Sequence, residues 1–264
     1  MAAREEVSAW RPRVPGVTEV FHAHFTEHAY PTHVHDVWTL LIVDTGAVRY
    51  DLNRHACGTL HETVSLLPPH VPHNGSPATP EGFRKRVLYL DASVLDTALI
   101  GAAADAPDVT DLLLRRRVGQ LHAVLAHPGD EFEAESRLAF VGERLRAHLR
   151  ARSGPAAQRR GVADRLRELL DTRVLTGVTL AEAAELLHAH PTHLVRAFTT
   201  AFGLAPHQYL TARRVERARS LLLDGLPPAA AATAAGFYDQ AHLGRHFKRV
   251  VGVPPGRFAG RASS

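Results

Sequence analysis

Two groups of residues in this sequence have types and spacings that could do chemistry. The first is a set of histidines. His33 and His35 stand two apart within residues 28–40, and His70 and His73 follow in a proline-rich stretch. Two apart on an extended chain places both side chains on one face. Three imidazoles from His33, His35 and His73 suit zinc or another transition metal. The same rings, with Trp38, could instead line a metal-free pocket for a small organic molecule. The plainest alternative is that they hydrogen-bond nearby backbone at strand ends.

The second group is a pair of arginines that recur at a fixed offset. Residues 193–209 contain His193, Leu194, Arg196, Phe198, Gly203, Pro206 and Tyr209. Forty-nine residues on stand His242, Leu243, Arg245, Phe247, Gly252, Pro255 and Phe258. Six positions repeat in identity and the seventh in aromatic type. A repeat of this kind reveals architecture before any other feature does. Leu194 and Phe198 are four apart and share one helix face, which leaves Arg196 pointing elsewhere. Gly203 falls where a left-handed helix cap is wanted, and Pro206 can open the next helix but not continue the last. Leu243, Phe247, Gly252 and Pro255 repeat those roles.

The elements that would position these residues can be read around them. Thr179 and Glu182 form a capping box ahead of a short helix with Ala183, Ala184, Leu186 and Leu187 on its apolar face. Residues 227–235 take the same place in the second unit, and Gly236-Phe237 makes the turn. A short helix, a tight turn and a second helix with an outward arginine make a helix-turn-helix. Residues 206–223, rich in arginine (Arg213, Arg214, Arg217, Arg219), would join the two units as one rigid helix. The second helix of each unit would enter a major groove, with the two about one DNA turn apart, roughly 34 Å. Arg196 and Arg245 are the expected guanine readers. Thr192, His193, Gln240 and His242 lie near the helix starts, Asp239 would cap the second reading helix, and the remaining arginines would mostly meet phosphates.

The rest of the chain reads differently. Short apolar, β-branched runs at 37–43, 48–52, 64–67 and 86–90, separated by Gly and Pro, predict an antiparallel sandwich or barrel over residues 17–90. Pro68, Pro69, Pro72, Pro77 and Pro80 mark a stretch expected to lie outside any central strand. From residue 108 the period turns helical, with patterns at 109–125 and 133–149. Their stripe (Leu112, Leu113, Leu121, Leu138, Val141, Leu145) could cover the sheet or form a dimer contact. Residues 152–161 are polar and small, as in a linker. Strands first and helices last predict a multidomain chain: an all-β N-terminal domain with flanking helices over residues 1–155, and an all-α double helix-turn-helix over 160–264.

Charge follows the same division. Residues 159–264 hold 15 Lys and Arg against 8 Asp and Glu, whereas residues 1–158 hold 16 against 19. A basic C-terminal half is the footprint of a nucleic-acid-binding domain. No run approaches the roughly 20 apolar residues of a membrane span, and no secretory signal is apparent. Cys57 is the single cysteine, which fits a cytoplasmic protein.

Over residues 160–260 the sequence resembles the AraC family of transcription regulators. The strongest stretch is Gly236-Phe237-Tyr238-Asp239-Gln240-Ala241-His242-Leu243-Gly244-Arg245-His246-Phe247-Lys248-Arg249, with Gly252-Val253-Pro254-Pro255 and Phe258 after it. The resemblance implies two helix-turn-helix units on successive major grooves of double-stranded DNA. It places base-facing positions on Thr192, Val195 and Arg196, and on Ala241, His242 and Arg245. The helix before Gly236 departs from the family in being almost all alanine.

The N-terminal half resembles the cupin-like sensing domain often joined to such units. In metal-binding cupins a His-x-His pair, a carboxylate and a distant histidine hold the ion. His33, His35 and His73 match the histidines, but no acid stands around residues 38–41, and Asp36 is expected on the opposite face. A metal-free pocket with no cofactor is therefore the favoured expectation. The resemblance further implies a non-enzymatic regulator that answers to a small-molecule effector, works as a homodimer and meets RNA polymerase if it activates.

Overall fold

The computed structural model describes residues 5–52, 55–59, 62–151 and 161–259. The segment expected to be a linker lies, apart from Gly161, outside the described residues. Among the described residues there are ten strands, all but the last ahead of the first helix: β1 (Glu6–Trp10), β2 (Val17–Phe25), β3 (Tyr30–His33), β4 (Trp38–Gly46), β5 (Val48–Leu52), β6 (His55–Thr59), β7 (Val64–Leu67), β8 (His73–Pro77), β9 (Phe83–Leu90) and β10 (Asp108–Val109). They form two antiparallel sheets, one in the order β1-β2-β9-β4-β7-β10 and the other β3-β8-β5-β6. The helices are α1 (Ile100–Asp105), α2 (Leu112–Leu125), α3 (Glu131–Arg150), α4 (Val162–Thr172), α5 (Leu180–Leu187), α6 (Pro191–Phe202), α7 (Pro206–Leu223), α8 (Pro228–Ala234), α9 (Gln240–Val251) and α10 (Pro255–Ala259).

The large sheet is covered on both faces, which explains why β4 reads as an unbroken apolar run. Leu40 and Ile42 point to one side and pack with Val118, Leu121, Val141 and Leu145 of α2 and α3. Leu41 and Val43 point to the other side, between the sheets, as the two-residue pleat requires. Most of the helical stripe is thus core. Leu112 is the exposed exception at 69% and Leu113 is half-buried, and Phe132 and Phe140 on α3 are exposed at 83% and 54%.

Three expectations change here. His73–Pro77 is a central strand, between β3 and β5. Its only proline is the last residue, so the missing N–H falls at the strand end and the Pro-free run His73–Ser76 can pair. His35 lies beyond the end of β3, so it joins His33 on one side through a loop and not through strand alternation. Leu186, assigned to an apolar face, is 55% exposed.

The C-terminal helices form two units with different surroundings. The first, α5 and α6, packs with α4 around Leu166, Leu170, Leu194, Phe198 and Tyr209, and one residue of the β-rich half, Val34, joins that cluster. The second, α8 and α9, has no core separate from the sheets. Ala231, Ala232, Ala235, Leu243, Phe247 and Val251 belong to the same buried cluster as Phe21, Phe25, Leu52 and Phe83. Ala231 and Ala232 of α8 are fully buried, so the small side chains let that helix approach closely.

Candidate nucleic-acid interface and the buried histidine cavity

The reading helices are built as their end signals require. Thr179 Oγ1 accepts from the Glu182 backbone N–H at 3.2 Å, and Glu182 Oε2 accepts in return from the Thr179 N–H at 2.7 Å, closing the capping box. In α6, the His190 ring accepts from the Thr192 N–H and Pro191 occupies the first turn. In α9, Asp239 Oδ1 accepts from the His242 N–H at 2.6 Å. Gly203 and Gly252 end the two helices in the left-handed region, at φ 69° and 91°.

Thr192, His193 and Arg196 are exposed near the start of α6, with Val195 half-buried; Gln240, Ala241 and Arg245 are exposed on α9, with His242 half-buried. Neither Arg196 nor Arg245 takes part in an ion pair among the described residues. Two cationic side chains are therefore free in equivalent places of the repeat.

The arginines of α7 behave otherwise, and the expectation of phosphate contacts is corrected for Arg213 and Arg219, which are paired with acids of the protein. Arg219 is 3% exposed. Its Nη2 pairs with Glu19 Oε1, and its Nη1 lies 3.1 Å from the Tyr89 hydroxyl and 3.2 Å from Glu216 Oε1. Arg213 pairs with Asp36 of the loop after β3 and, at 2.8 Å, with Asp171 of α4. Arg214 donates to the Val174 carbonyl and Arg217 to the Ala234 carbonyl. These groups fasten α7 to its neighbours, Arg213 and Arg219 through acids and Arg214 and Arg217 through carbonyls. The sequence held a signal for Arg219. Ala212, Val215, Arg219 and Leu222 follow helical spacing, so the arginine sits on the buried stripe.

Between the sheets lies a cavity of about 50 Å³, lined by His33, His35, His73, Lys85 and Tyr89 from the β-rich half and by Arg219, Val250 and Val251 from the helices. It brings together three of the four residues expected in the pocket. The fourth, Trp38, faces the other way, into the cluster under α2 and α3, where its Nε1 donates to the Leu95 carbonyl at 2.7 Å. Burial on both faces of β4 left its side ambiguous in sequence.

The three histidines are 5%, 4% and 5% exposed. One potential ligand atom from each lies within 4.8 Å of the others, so this set could hold a metal. Burial, with the neighbouring histidines, holds His33 well below the usual imidazole range and His73 at about 3, so both rings are neutral at neutral pH. Burial and the charge of Arg219 bring Lys85 down to about 7. The acid that sequence reasoning sought near residue 40 comes from far along the chain: Glu216 of α7 places Oε1 2.9 Å from His35 Nδ1. Burial pushes the Glu216 carboxyl up, but His35 and Arg219 outweigh it and hold it at about 2.

Known protein families match the two halves of the chain separately. Residues 15–139 match the family described as AraC-like ligand binding domain, and residues 183–261 match a helix-turn-helix domain family. Together the two matches span well over half of the chain. The chain is 37% identical over 76 residues to the uncharacterized HTH-type transcriptional regulator YbfI of Bacillus subtilis, covering 29% of this chain and 28% of that protein. It is 36% identical over 83 residues to the regulatory protein ada of Salmonella typhimurium, covering 31% and 24%. These matches therefore span less than a third of either relative. In fold it is similar to ToxT from Vibrio cholerae, with a TM-score of 0.60 at 11% identity over 99% of this chain and 100% of that one. It is also similar to the same protein bound to an unsaturated fatty acid, with a TM-score of 0.59 at 12% identity over 98% and 95%.

Proposed function

We propose that the chain is a member of the AraC family and a sequence-specific DNA-binding transcription regulator whose N-terminal half receives a small effector. The observation that carries the reading is the contrast among its arginines. Arg196 and Arg245 are exposed at equivalent positions of two helix-turn-helix units, whereas the arginines of the helix between them are occupied by protein partners.

In this reading the domains comprise residues 1–155 and 160–264. Thr192, His193, Val195, Arg196, Gln240, Ala241, His242 and Arg245 face the bases, with each good bidentate arginine contributing about 1–3 kcal/mol of discrimination. The effector site is the cavity at His33, His35 and His73. Arg219, Val250 and Val251 of the DNA-binding half form part of its wall, so an occupant would touch both halves and could favour one arrangement over another. Differential affinity of this kind is what ligand control requires. No catalytic step enters the reading.

The regulator would work in the cytoplasm and contact RNA polymerase if it activates. Among the described residues no helix is long and apolar enough to cross a membrane. The exposed Leu112, Phe132 and Phe140 on α2 and α3 support a homodimer through that face.

Selection from random double-stranded DNA, run beside an Arg196→Ala, Arg245→Ala double variant, tests the reading. Enrichment of two sequence blocks about one helical turn apart, lost in the variant, is the expected result. Enrichment that the variant retains would reject the two arginines as readers, and weak, salt-sensitive binding without a motif would reject sequence-specific regulation.

A further inference from the structure

We propose that Lys85 captures a small aldehyde as a reversible imine in the cavity between the sheets. This deepens the regulator reading by naming the chemical class of effector, and only the step from adduct to DNA rests on that reading.

Of the 31 arginines and lysines in the chain, only Lys85 and Lys248 are lysines. The difference matters once the group is buried, because an amine then gives up its proton and a guanidinium does not. Lys85 stands between Arg84 and Arg86 on β9, and the two-residue pleat sends the three to different places. Arg84 is exposed, and Arg86 pairs with Asp44 and reaches the Gly119 carbonyl of α2. Lys85 falls on the inner face with Phe83, Val87 and Tyr89, which belong to the cluster between the sheets, and it lines the cavity there. It has no acidic partner among the described residues. Its Nζ lies instead 4.1 Å from the centroid of the Tyr30 ring, with the Phe21 and Phe83 centroids at 5.7 and 5.9 Å. Burial, with the charge of Arg219, brings the amine down to about 7, so near neutral pH much of it carries a free lone pair. A lysine desolvated among apolar groups beside another cation is the arrangement that makes an amine nucleophilic.

The cavity selects the electrophile. Its volume of about 50 Å³ falls well below the roughly 300 Å³ at which organic-ligand pockets begin. A molecule of a few heavy atoms draws too little from contacts to bind tightly, and a covalent bond supplies what contacts cannot. A carboxylate is the poorer fit. His33 Nδ1 lies 2.7 Å from the Pro31 carbonyl and His73 Nδ1 lies 3.1 Å from the Val71 carbonyl. A carbonyl oxygen can only accept, so each Nδ1 carries its ring's proton and each Nε2 keeps a lone pair. Lone pairs in the wall repel an anion and accept from a hydroxyl. Tyr30 lines the same cavity, and its hydroxyl is buried with no hydrogen-bond partner among the described residues. Burial holds that hydroxyl well above the usual phenol range, so it keeps its proton and can donate to a carbonyl oxygen.

The reaction balances with no further reagent. The Nζ lone pair bonds to the carbonyl carbon as the C=O π pair moves to oxygen, and a proton passes from nitrogen to that oxygen. The carbinolamine then loses its hydroxyl together with the remaining N–H proton as water, and the nitrogen lone pair closes the C=N bond. One amine and one aldehyde give one imine and one water. The Tyr30 hydroxyl assists by donating to the oxygen on which charge develops. The protonated imine is again a cation, so the ring faces that held the ammonium hold the product. Arg219, Val250 and Val251 of the DNA-binding half complete the wall, so the added alkyl group alters the packing against α7 and the end of α9.

The test is incubation of the untagged full chain with acetaldehyde and cyanoborohydride, which reduces the imine to a stable ethylamine, followed by peptide mass spectrometry. Lys248, exposed on α9, is the reference amine in the same molecule. At pH 7 Lys85 should be labelled about 10-fold faster than Lys248. Tyr30→Phe keeps the ring, removes the hydroxyl and should slow the labelling of Lys85 about 10-fold while leaving Lys248 unchanged. Lys85→Met should abolish the fast adduct, with circular dichroism reporting whether that variant is folded; the comparison of the two lysines in the wild type decides the matter if it is not. Labelling of Lys85 no faster than that of Lys248 would overturn the site. Protection of Lys85 by an equal concentration of acetate would overturn it in favour of a carboxylate held by the ammonium. An unchanged rate in Tyr30→Phe would remove the hydroxyl from the step. Selection on random DNA by labelled and unlabelled protein separates the two readings. Sequence selection without a Lys85 adduct sinks the aldehyde site alone, and an adduct in a chain that selects no sequence in either state sinks the regulator alone. An adduct that leaves selection and affinity unchanged would overturn the aldehyde as effector.

Discussion

The two helix-turn-helix units share their sequence signature but not their surroundings. In the first, Gly203 ends α6 with open space around it. In the second, Gly252 ends α9 against the barrel, where an added Cβ would lie 2.7 Å from the Phe25 ring. The first unit closes on its own core with α4 and α7, and only Val34 joins it from the β-rich half. The second shares one continuous core with the sheets, and the C-terminal end of α9 supplies Val250 and Val251 to the cavity wall. A repeat in sequence therefore marks a repeat in local fold and not in role. The unit whose core is the barrel's core is the one an effector in the barrel could restrain or release.

The largest effect should come from cutting the ion network at this junction. Arg219→Ala leaves Glu19 and Glu216 buried without their common partner and should cost about 3–5 kcal/mol of stability in urea unfolding. Arg196→Ala, on an exposed surface, should stay within about 0.5 kcal/mol. Equal losses from the two would erase the contrast between them.

The paired glycines sharpen it next. Gly203→Ala should cost about 1–2 kcal/mol, the penalty of a left-handed conformation for a residue with a Cβ. Gly252→Ala carries that penalty and the collision with Phe25, which adds about 1–3 kcal/mol for overpacking. Thermal or urea midpoints of the two variants would expose any failure of that order.

A control away from both units concerns pH. Burial, with His22 and Arg86 nearby, holds His122 well below the usual imidazole range, and its Nδ1 lies 3.2 Å from His22 Nε2. The unfolded chain takes up a proton on this residue below about pH 6.5 while the folded chain does not. Stability should therefore fall as pH drops from 6.5, by up to about 1.4 kcal/mol per pH unit for this group. His122→Gln should flatten the slope without changing the difference between the units; an unchanged slope would remove His122 from the account.

What the sequence made legible was local. The capping box at Thr179, the cap at Asp239, the glycine ends of α6 and α9 and the span of α7 all depend on residues within a turn or two of one another. What it left unread depended on partners far along the chain. Trp38 could face either side of a doubly covered strand. The central placement of β8 follows from pairing with β3 and β5. The arginines of α7 looked like phosphate ligands because their acceptors, Glu19, Asp36 and two backbone carbonyls, are distant in sequence. The carboxylate beside the histidines was missed for the same reason, since Glu216 reaches them from the other half of the molecule.

The asymmetry of the two units is tested most directly by hydrogen exchange on the full chain, wild type beside Arg219→Ala. In the wild type, amides of α8 and α9 should exchange as slowly as those of the barrel strands and more slowly than those of α5 and α6. Arg219→Ala should lower the protection of α8 and α9 and leave α5 and α6 unchanged. Equal protection of the two units in the wild type, or equal loosening of both in the variant, would contradict it.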